Sequence, residues 1–277
     1  MDGVQGETVR KEGWCQPARS RGRGRILMGE KGLDELHQSG CIRMLLPRSD
    51  HAVAEAVVVN TAGGLTGGDD IDVQAGCRRG ASLCLSSQSA ERIYRSSGGV
   101  ARVRGRLTVA DGAFMEWIPR ETILFDGSGL ARHVDVELAE TASFLFLDVM
   151  VLGRHAMGES ISRIGLNDQR RIWRNGRLVF ADGFRLHTGM LEMARGRAGI
   201  GDSRAVGSFF FGGADADLRA SAVRTSMQGL DVDLAVSCWN NMIFARFLSA
   251  DPQALLAGAV RILENFRERP VPHVWKV

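Results

Sequence analysis

The stretch RRIWRNGRLVF, residues 170–180, has the sequence form of a β-hairpin. Asn175-Gly176 lies at its centre, and this dipeptide is the strongest short signal for a two-residue turn between antiparallel strands. Apolar side chains lie on both sides of the turn, so each half can contribute to a buried sheet face. The stretch therefore predicts two short, directly paired strands and indicates a fold rich in β-structure.

The same strand signal extends over much of the chain. Residues 103–109 and 133–138 (HVDVEL) alternate apolar or small side chains with polar ones, as half-buried strands do. Short turns such as Asp111-Gly112 and Asp126-Gly127 separate these segments. Many short strands with tight turns predict a mainly β, layered fold of a single domain.

Helix signals appear only near the C-terminal end, where two helices are predicted. Residues 214–228 have a weak helical pattern and residues 251–269 a strong one, in which Asp251 can cap the helix and Pro252 suits its first turn. The apolar residues of the stronger helix recur on one face: Leu255, Leu256, Ala259, Ile262, Leu263 and Phe266.

Composition indicates one globular domain behind a short tail. The first 25 residues are polar and basic, which predicts a flexible arm over residues 1–25 and a β-rich domain over residues 26–277. The formal net charge of +3, from 35 basic and 32 acidic residues, is too balanced to indicate nucleic-acid binding. No run reaches the roughly 20 apolar residues that a membrane helix needs. The five cysteines contain no CxxC pair, so a reducing cytoplasm is the expected location.

The glycine-rich stretch NTAGGLTGGDD, residues 60–70, is not a nucleotide loop. A phosphate-binding loop needs a lysine after its last glycine and then a helix, whereas Asp69 and Asp70 follow here and a strand pattern comes next. The glycines predict a tight turn in which the backbone passes close to another segment. The two aspartates either cap this turn or face a polar channel.

A second stretch, SSQSAERIYRSSGG at residues 86–99, holds Tyr94, the only tyrosine of the chain. Ser86, Ser87 and Gln88 either line a polar passage or end a strand with hydrogen bonds above Tyr94. No histidine or aspartate is near enough in sequence to suggest a hydrolase triad.

A third stretch, LDVMVLGRHAMGE at residues 147–159, combines carboxylates with a histidine. His155 and Glu159 have a spacing that suits two metal ligands on a helix, but the glycines around them disfavour a helix and a third ligand is missing. Asp148 lies in an apolar run and needs a partner when buried. Arg154 is the candidate partner.

A fourth stretch, EWIPRETILFDGSG at residues 116–129, mixes aromatic, arginine and carboxylate side chains. Such a mixture suits a protein interface. The same residues also suit core packing beside a surface turn.

In this order, the four stretches resemble the UreD family of urease accessory proteins, also called UreH. NTAGGLTGGD is similar to the family's GG-x-x-GGD region and SSQSAERIYRS to its T-T-Q-A-x-K-x-Y-R-S segment. WIPRETILFDGS resembles its L-P-x-x-x-I-x-F segment and GRHAMGE its G-R-x-A-M-G-E signature. The C-terminal segment through VPHVW resembles the family's closing strand, helix and tryptophan. The chain departs from the pattern at Ser86, Ser87, Ser89, Arg92 and Asp148.

The resemblance implies a β-helix-like stack of sheets and a chaperone or scaffold, not an enzyme. Such a scaffold binds apo-urease and the accessory protein UreF, recruits the GTPase UreG through UreF, and helps to deliver nickel through an internal polar tunnel. No tightly bound cofactor or closed metal site is expected, because a conduit must hold nickel only transiently. Nucleic acid and membranes are not expected partners.

Two sets of residues carry these expectations. The candidates for the tunnel or for transient nickel contact are Asp69, Asp70, Ser86, Ser87, Gln88, Asp148, His155, Glu159 and Asp182. The candidates for a partner interface are Tyr94, Arg95, Trp117, Arg120, Glu121, Phe125, Arg154, Leu256, Phe266 and Trp275. Two alternatives stay open: a metal-dependent hydrolase that uses Asp69, His155, Glu159 and Asp182, and a plain β-sheet binding module.

Overall fold

A computed structural model describes residues 19–48, 53–154, 157–196, 198–267 and 269–276. Within these residues the chain forms seventeen strands in two sheets that lie face to face, with helices on one outer side. The predicted mainly β fold of stacked sheets is therefore confirmed.

The first sheet has seven strands. They are β1 (Arg21–Gly29), β2 (Gly32–Gly40), β5 (Asp70–Cys77), β8 (Ala101–Val109), β11 (Ser128–Leu138), β13 (Ile164–Arg174) and β14 (Arg177–His187). Their spatial order is β14-β13-β11-β8-β5-β1-β2. The five central strands are parallel to one another, and an antiparallel strand closes each edge.

The second sheet has ten strands. They are β3 (Ile42–Leu45), β4 (Ala54–Asn60), β6 (Ser82–Ser87), β7 (Glu91–Ile93), β9 (Phe114–Trp117), β10 (Thr122–Leu124), β12 (Ser143–Leu152), β15 (Ala205–Gly212), β16 (Asp233–Trp239) and β17 (Met242–Ser249). The main path runs β16-β17-β15-β12-β9-β6-β4-β3, and β7 and β10 pair beside β12.

The chain passes repeatedly from one sheet to the other. From β4 to β13, each strand of the first sheet is followed by one or two strands of the second sheet, and each return adds a parallel strand beside the previous one. This coil is the β-helix-like arrangement that the family resemblance implies. The Asn175-Gly176 turn then reverses the chain into β14, with φ angles of 48° and 73° that suit such a turn.

The two longest helices cover the outer face of the second sheet. A short helix, α1 (Leu191–Ala194), precedes β15, and the two predicted C-terminal helices are α2 (Ala216–Thr225) and α3 (Pro252–Arg267). The predicted apolar stripe of α3 is mostly buried, and only Leu256 stays partly exposed. The stripe packs on the second sheet in a core of its own, separate from the core between the two sheets.

The N-terminal end differs from the predicted arm. Residues 1–18 lie outside the described residues, but residues 21–25 belong to β1 rather than to a flexible arm. In RGRGR the arginines point to solvent, while Gly22 and Gly24 face the second sheet. A Cβ atom at Gly22 would lie 2.5 Å from Cγ1 of Ile42, so glycine permits the close approach of the sheets here. The alternation of arginine and glycine therefore belongs to a strand, although the high charge of this segment predicts a flexible arm.

Candidate functional site

The glycine-rich loop is a structural turn. Gly63, Gly64 and Gly68 adopt positive φ angles of 74°, 146° and 92°. The carboxylate of Asp69 caps the turn: it accepts hydrogen bonds from the backbone N–H of Ser20 at 2.7 Å and of Thr66 at 2.8 Å. The loop therefore connects β4 to β5, and Asp69 ties the start of β1 to the start of β5. Of the two expectations for Asp69, the structure shows turn capping.

A cavity of about 150 Å³ lies between the two sheets, beside this loop. Its apolar walls include Val58 of the second sheet and Val73 of the first. Its polar lining includes Ser86, Ser87 and Gln88, for which the sequence leaves open a polar passage or a strand end. Ser86 is buried, whereas Gln88 is exposed, so the polar lining reaches from the interior to the surface.

Glu91 is a carboxylate in the same cavity and is not among the site residues predicted from the sequence. Its two oxygens accept hydrogen bonds from the side-chain amide of Asn60 at 3.1 and 3.2 Å. Burial raises the pKa of Glu91 to about 7 from an ordinary value of 4.5; the Asn60 hydrogen bond and the charge of Arg92 oppose this rise, and Asp69 adds to it. Glu91 can therefore exchange a proton near neutral pH.

Replacing Glu91 with glutamine is expected to remove a pH dependence of stability. Because the folded protein holds the Glu91 proton more tightly than the unfolded chain, this contribution is complete below pH ~4.5 and is lost as pH rises through about 7. Urea unfolding should show the wild type losing on the order of 2 kcal/mol from pH 5 to pH 8 relative to Glu91→Gln. The control is Glu137→Gln, at an exposed position of β11. Equal pH profiles for wild type and Glu91→Gln would refute the assignment.

A cluster of arginines and aspartates lies next to this cavity inside the protein. Arg132 of β11 donates to Asp168 of β13 with an Nε to Oδ1 distance of 2.7 Å, and to Asp148 of β12 with an Nη1 to Oδ1 distance of 3.2 Å. Arg170 of β13 contacts both Asp148 and Asp168. All four side chains are buried. We call these residues, together with Asp182 and Arg246, the buried ion cluster.

The buried ion cluster extends from the cavity to the surface. Arg132 lines the cavity, and Arg170 leads on to Asp182 at 3.5 Å. Asp182 pairs with Arg246 of β17, whose side chain is 27% exposed and so reaches solvent. Three arginines thus balance three aspartates along a polar path through an otherwise apolar core.

Electrostatic pairing favours the charged forms of Asp168 and Arg132. Burial by itself would raise the pKa of Asp168, but Arg132 and Arg170 lower it below its ordinary value. Burial by itself would lower the pKa of Arg132, but the carboxylates of Asp148 and Asp168 raise it above its ordinary value. Every charge of the cluster has a partner of opposite sign, so removal of one member would leave an uncompensated charge in the interior.

The structure corrects the predicted partner of Asp148. The sequence suggests Arg154, but Arg132 and Arg170 pair with Asp148 because they face it across the gap between the sheets. Arg154 instead donates to Glu159 at 2.9 Å, within a surface loop.

The remaining nickel candidates do not converge. Asp70 lies on the outer face of the first sheet and pairs with Arg104 at 2.7 Å. Glu159 is held in its loop, Asp69 caps a turn, and His155 lies outside the described residues. Within the described ranges, no group of three or more His, Cys, Asp or Glu side chains is placed to hold a metal ion. Nothing in these ranges brings together the ligands of the hydrolase hypothesis.

Four of the predicted interface residues lie together on the surface. The rings of Tyr94 and Phe125 meet edge to face at 5.1 Å, and the guanidinium of Arg154 lies 4.6 Å from the centre of the Phe125 ring. Arg95 pairs with Asp126 at 2.9 Å in the same region. This surface is available to a partner, as an interface requires.

The other predicted interface residues belong mainly to the interior. Phe266 and Trp275 are each only 1% exposed, because α3 and the C-terminal turn pack them against the chain's own second sheet. Arg120 stacks on the Trp275 ring at 4.9 Å and pairs with Glu121 at 3.1 Å. These two residues therefore help to hold Trp275 in place. Trp117 lies between the sheets and lines the cavity.

Comparison with known proteins gives one consistent result. The family model for the UreD urease accessory protein matches residues 20–276. A protein of Dinoroseobacter shibae is 38% identical over 265 residues, which cover 94% of this chain and 93% of the relative. One from Rhizobium leguminosarum bv. trifolii is 37% identical over 267 residues, covering 95% and 97%. Both relatives are named urease accessory protein UreD. No helix among the described residues has the length and apolar character to span a membrane.

Proposed function

Because this chain belongs to the UreD family of urease accessory proteins, it has a role in urease maturation, and we propose that it fills this role as a scaffold for nickel delivery. In this proposal the chain binds apo-urease and UreF, and UreF recruits the GTPase UreG. The chain catalyses no step itself. Nickel is a cargo that it holds transiently.

The single observation that carries the nickel proposal is the polar path between the sheets. The path begins at the cavity lined by Ser86, Ser87, Gln88 and Glu91 and continues through the buried ion cluster to Arg246. Polar groups in an apolar core are costly unless they are paired, so a continuous row of them calls for a function. An ion can travel along such a row if its oxygen ligands hold it loosely.

The cavity and the buried ion cluster have different tasks in this proposal. The cavity offers hydroxyl and amide oxygens and one carboxylate, Glu91, that exchanges its proton near neutral pH. These are ligands that a divalent cation accepts without being trapped. The buried ion cluster is neutral and fully paired, so it closes the path until an incoming cation displaces Arg132 or Arg170 from Asp148.

The proposed order of assembly can be tested by affinity capture. The tagged full chain is incubated with purified apo-urease, UreF and UreG, singly and together. We expect apo-urease and UreF each to be retained by this chain, and UreG to be retained only when UreF is present. Retention of UreG without UreF would contradict the order, and failure to retain both apo-urease and UreF would contradict the scaffold.

A further inference from the structure

The outer face of the first sheet is uncovered and carries many arginines. Parallel sheets are normally covered on both faces, and here the other face packs on the second sheet, whose own outer side carries α2 and α3. None of the described elements covers the outer face of the first sheet. The outward positions of its strands hold eight arginines: Arg21, Arg23, Arg25, Arg102, Arg104, Arg106, Arg171 and Arg185. We call this surface the arginine face.

Carboxylates on the arginine face neutralise only part of this charge. The outward acidic residues are Asp34, Glu35, Asp70, Asp72, Asp135 and Glu137. They pair with some of the arginines, as Asp72 does with Arg106 at 2.9 Å and Asp135 with Arg171 at 2.7 Å.

Four of the arginines on this face make no ion pair with any described residue. They are Arg21, Arg23, Arg102 and Arg185, and all four are exposed. Arg185 donates only to the amide oxygen of Asn167, at 3.2 Å. Arginine offers planar, two-pronged hydrogen bonding to carboxylates, so four unpaired arginines on one rigid sheet form a surface that is ready for an acidic partner.

The arginine face also has the size of a protein interface. Seven strands at about 4.8 Å and strand lengths near 30 Å give roughly 900 Å², and a standard interface buries about 800 Å² on each partner. At one end of the face, Trp173 pairs with Leu178, which is 44% exposed. An aromatic and an apolar side chain beside arginines are typical of an interface.

The charge pattern of the arginine face favours one kind of binding partner over others. A second copy of the chain would set one basic face against another, which is repulsive. A nucleic acid would bring phosphates against Asp70, Asp72 and Asp135, which lie among the arginines. A protein surface with carboxylates and some cations can match both signs.

We propose that the arginine face docks a carboxylate-rich surface of apo-urease. The identity of this partner rests on the proposed function, whereas the location and charge of the surface come from the structure. The carboxylates of the partner pair with the four arginines that lack an internal partner, and they speed association by electrostatic attraction.

The test is a triple variant, Arg23→Gln with Arg102→Gln and Arg185→Gln. These substitutions leave no described carboxylate unpaired, so the fold should be retained, which circular dichroism checks. Binding of the full-length protein to immobilised apo-urease is measured at low and at physiological salt. We expect at least ~10-fold weaker binding, mainly through slower association, and a smaller salt dependence than the wild type shows. Should the triple variant fail to fold, the single variant Arg102→Gln is expected to show the same trend.

A matched control removes three exposed arginines elsewhere: Arg79→Gln with Arg224→Gln and Arg261→Gln. This control should bind apo-urease as the wild type does. If wild type, triple variant and control all bind alike, the arginine face is not the docking surface, although the proposed function stands. If the wild type does not bind apo-urease at all, the proposed scaffold function fails and this partner with it.

Two further probes test the choice of occupant. A short DNA duplex should bind to the protein much more weakly than apo-urease does. Sedimentation should show the same oligomeric state for the wild type and the triple variant, so that no self-association depends on these arginines. Comparable affinity for the duplex, or a dimer that depends on these arginines, would overturn the proposal.

Discussion

Asp168→Ala is expected to lower the free energy of unfolding by about 3–5 kcal/mol, because it removes one partner from a buried ion cluster. The Asp168 side chain is fully buried and pairs with both Arg132 and Arg170. After the substitution, these two guanidinium groups share Asp148 inside an apolar core, and a buried charge without full compensation is costly. Urea unfolding followed by circular dichroism measures the change.

The matched control for Asp168→Ala is Asp135→Ala. Asp135 lies on β11 and pairs with Arg171 across the same two strands, but on the outer face, where its side chain is 35% exposed. An exposed pair contributes at most about 1 kcal/mol, so this variant should unfold nearly as the wild type does. Equal losses at the two sites would mean that the buried ion cluster is no more important to the fold than a surface pair.

Val58→Trp is expected to reduce nickel-dependent urease activation at least ~10-fold while leaving the binding of apo-urease intact. Val58 lines the cavity between the sheets, so an indole ring at this position would fill much of the space that a passing ion needs. Because the cavity is empty of side chains, the larger residue can be accommodated with less strain than in a filled core. Activation is measured as urease activity in cells that co-express the full set of maturation proteins.

Val58→Ala serves as the control, since it leaves the cavity open. It should support activation at the wild-type level after correction for any loss of protein. Wild-type activation by Val58→Trp would show that nickel does not travel through this cavity, even if the chain remains a scaffold.

Local sequence signals predicted the secondary structure well where one pattern decides the conformation. Asn175-Gly176 predicts the turn between β13 and β14, and HVDVEL lies within β11. Pro252 begins α3, as its position in the first turn predicts. These signals depend on near neighbours in the chain, so sequence alone is sufficient.

The buried ion cluster could be predicted only in part. Arg132 takes the place of an apolar residue between Leu130 and Val134, and Asp168 and Arg170 do so in β13. Period-two analysis of these strands would have placed all three side chains on the inner face. Which side chains pair there depends on strand order and sheet stacking, which join residues far apart in sequence. Arg154 is close to Asp148 in sequence but lies in a different environment, which explains the wrong partner.

The sequence also does not show which apolar side chains belong to the core and which belong to an interface. The apolar stripe of α3 shows that one face must be covered, but it does not show whether the chain's own sheet or a partner covers it. The chain's own second sheet buries Phe266, whereas Tyr94 remains 37% exposed.

The most direct test of the scaffold is the nickel content of urease made with and without this chain. Urease subunits, UreF and UreG are co-expressed in nickel-supplemented cells in both cases, and nickel per active site is determined by mass spectrometry on the purified enzyme. The proposal predicts nearly full occupancy when the chain is present and nearly nickel-free, inactive urease when it is missing. Equal nickel content and equal activity in the two preparations would contradict it.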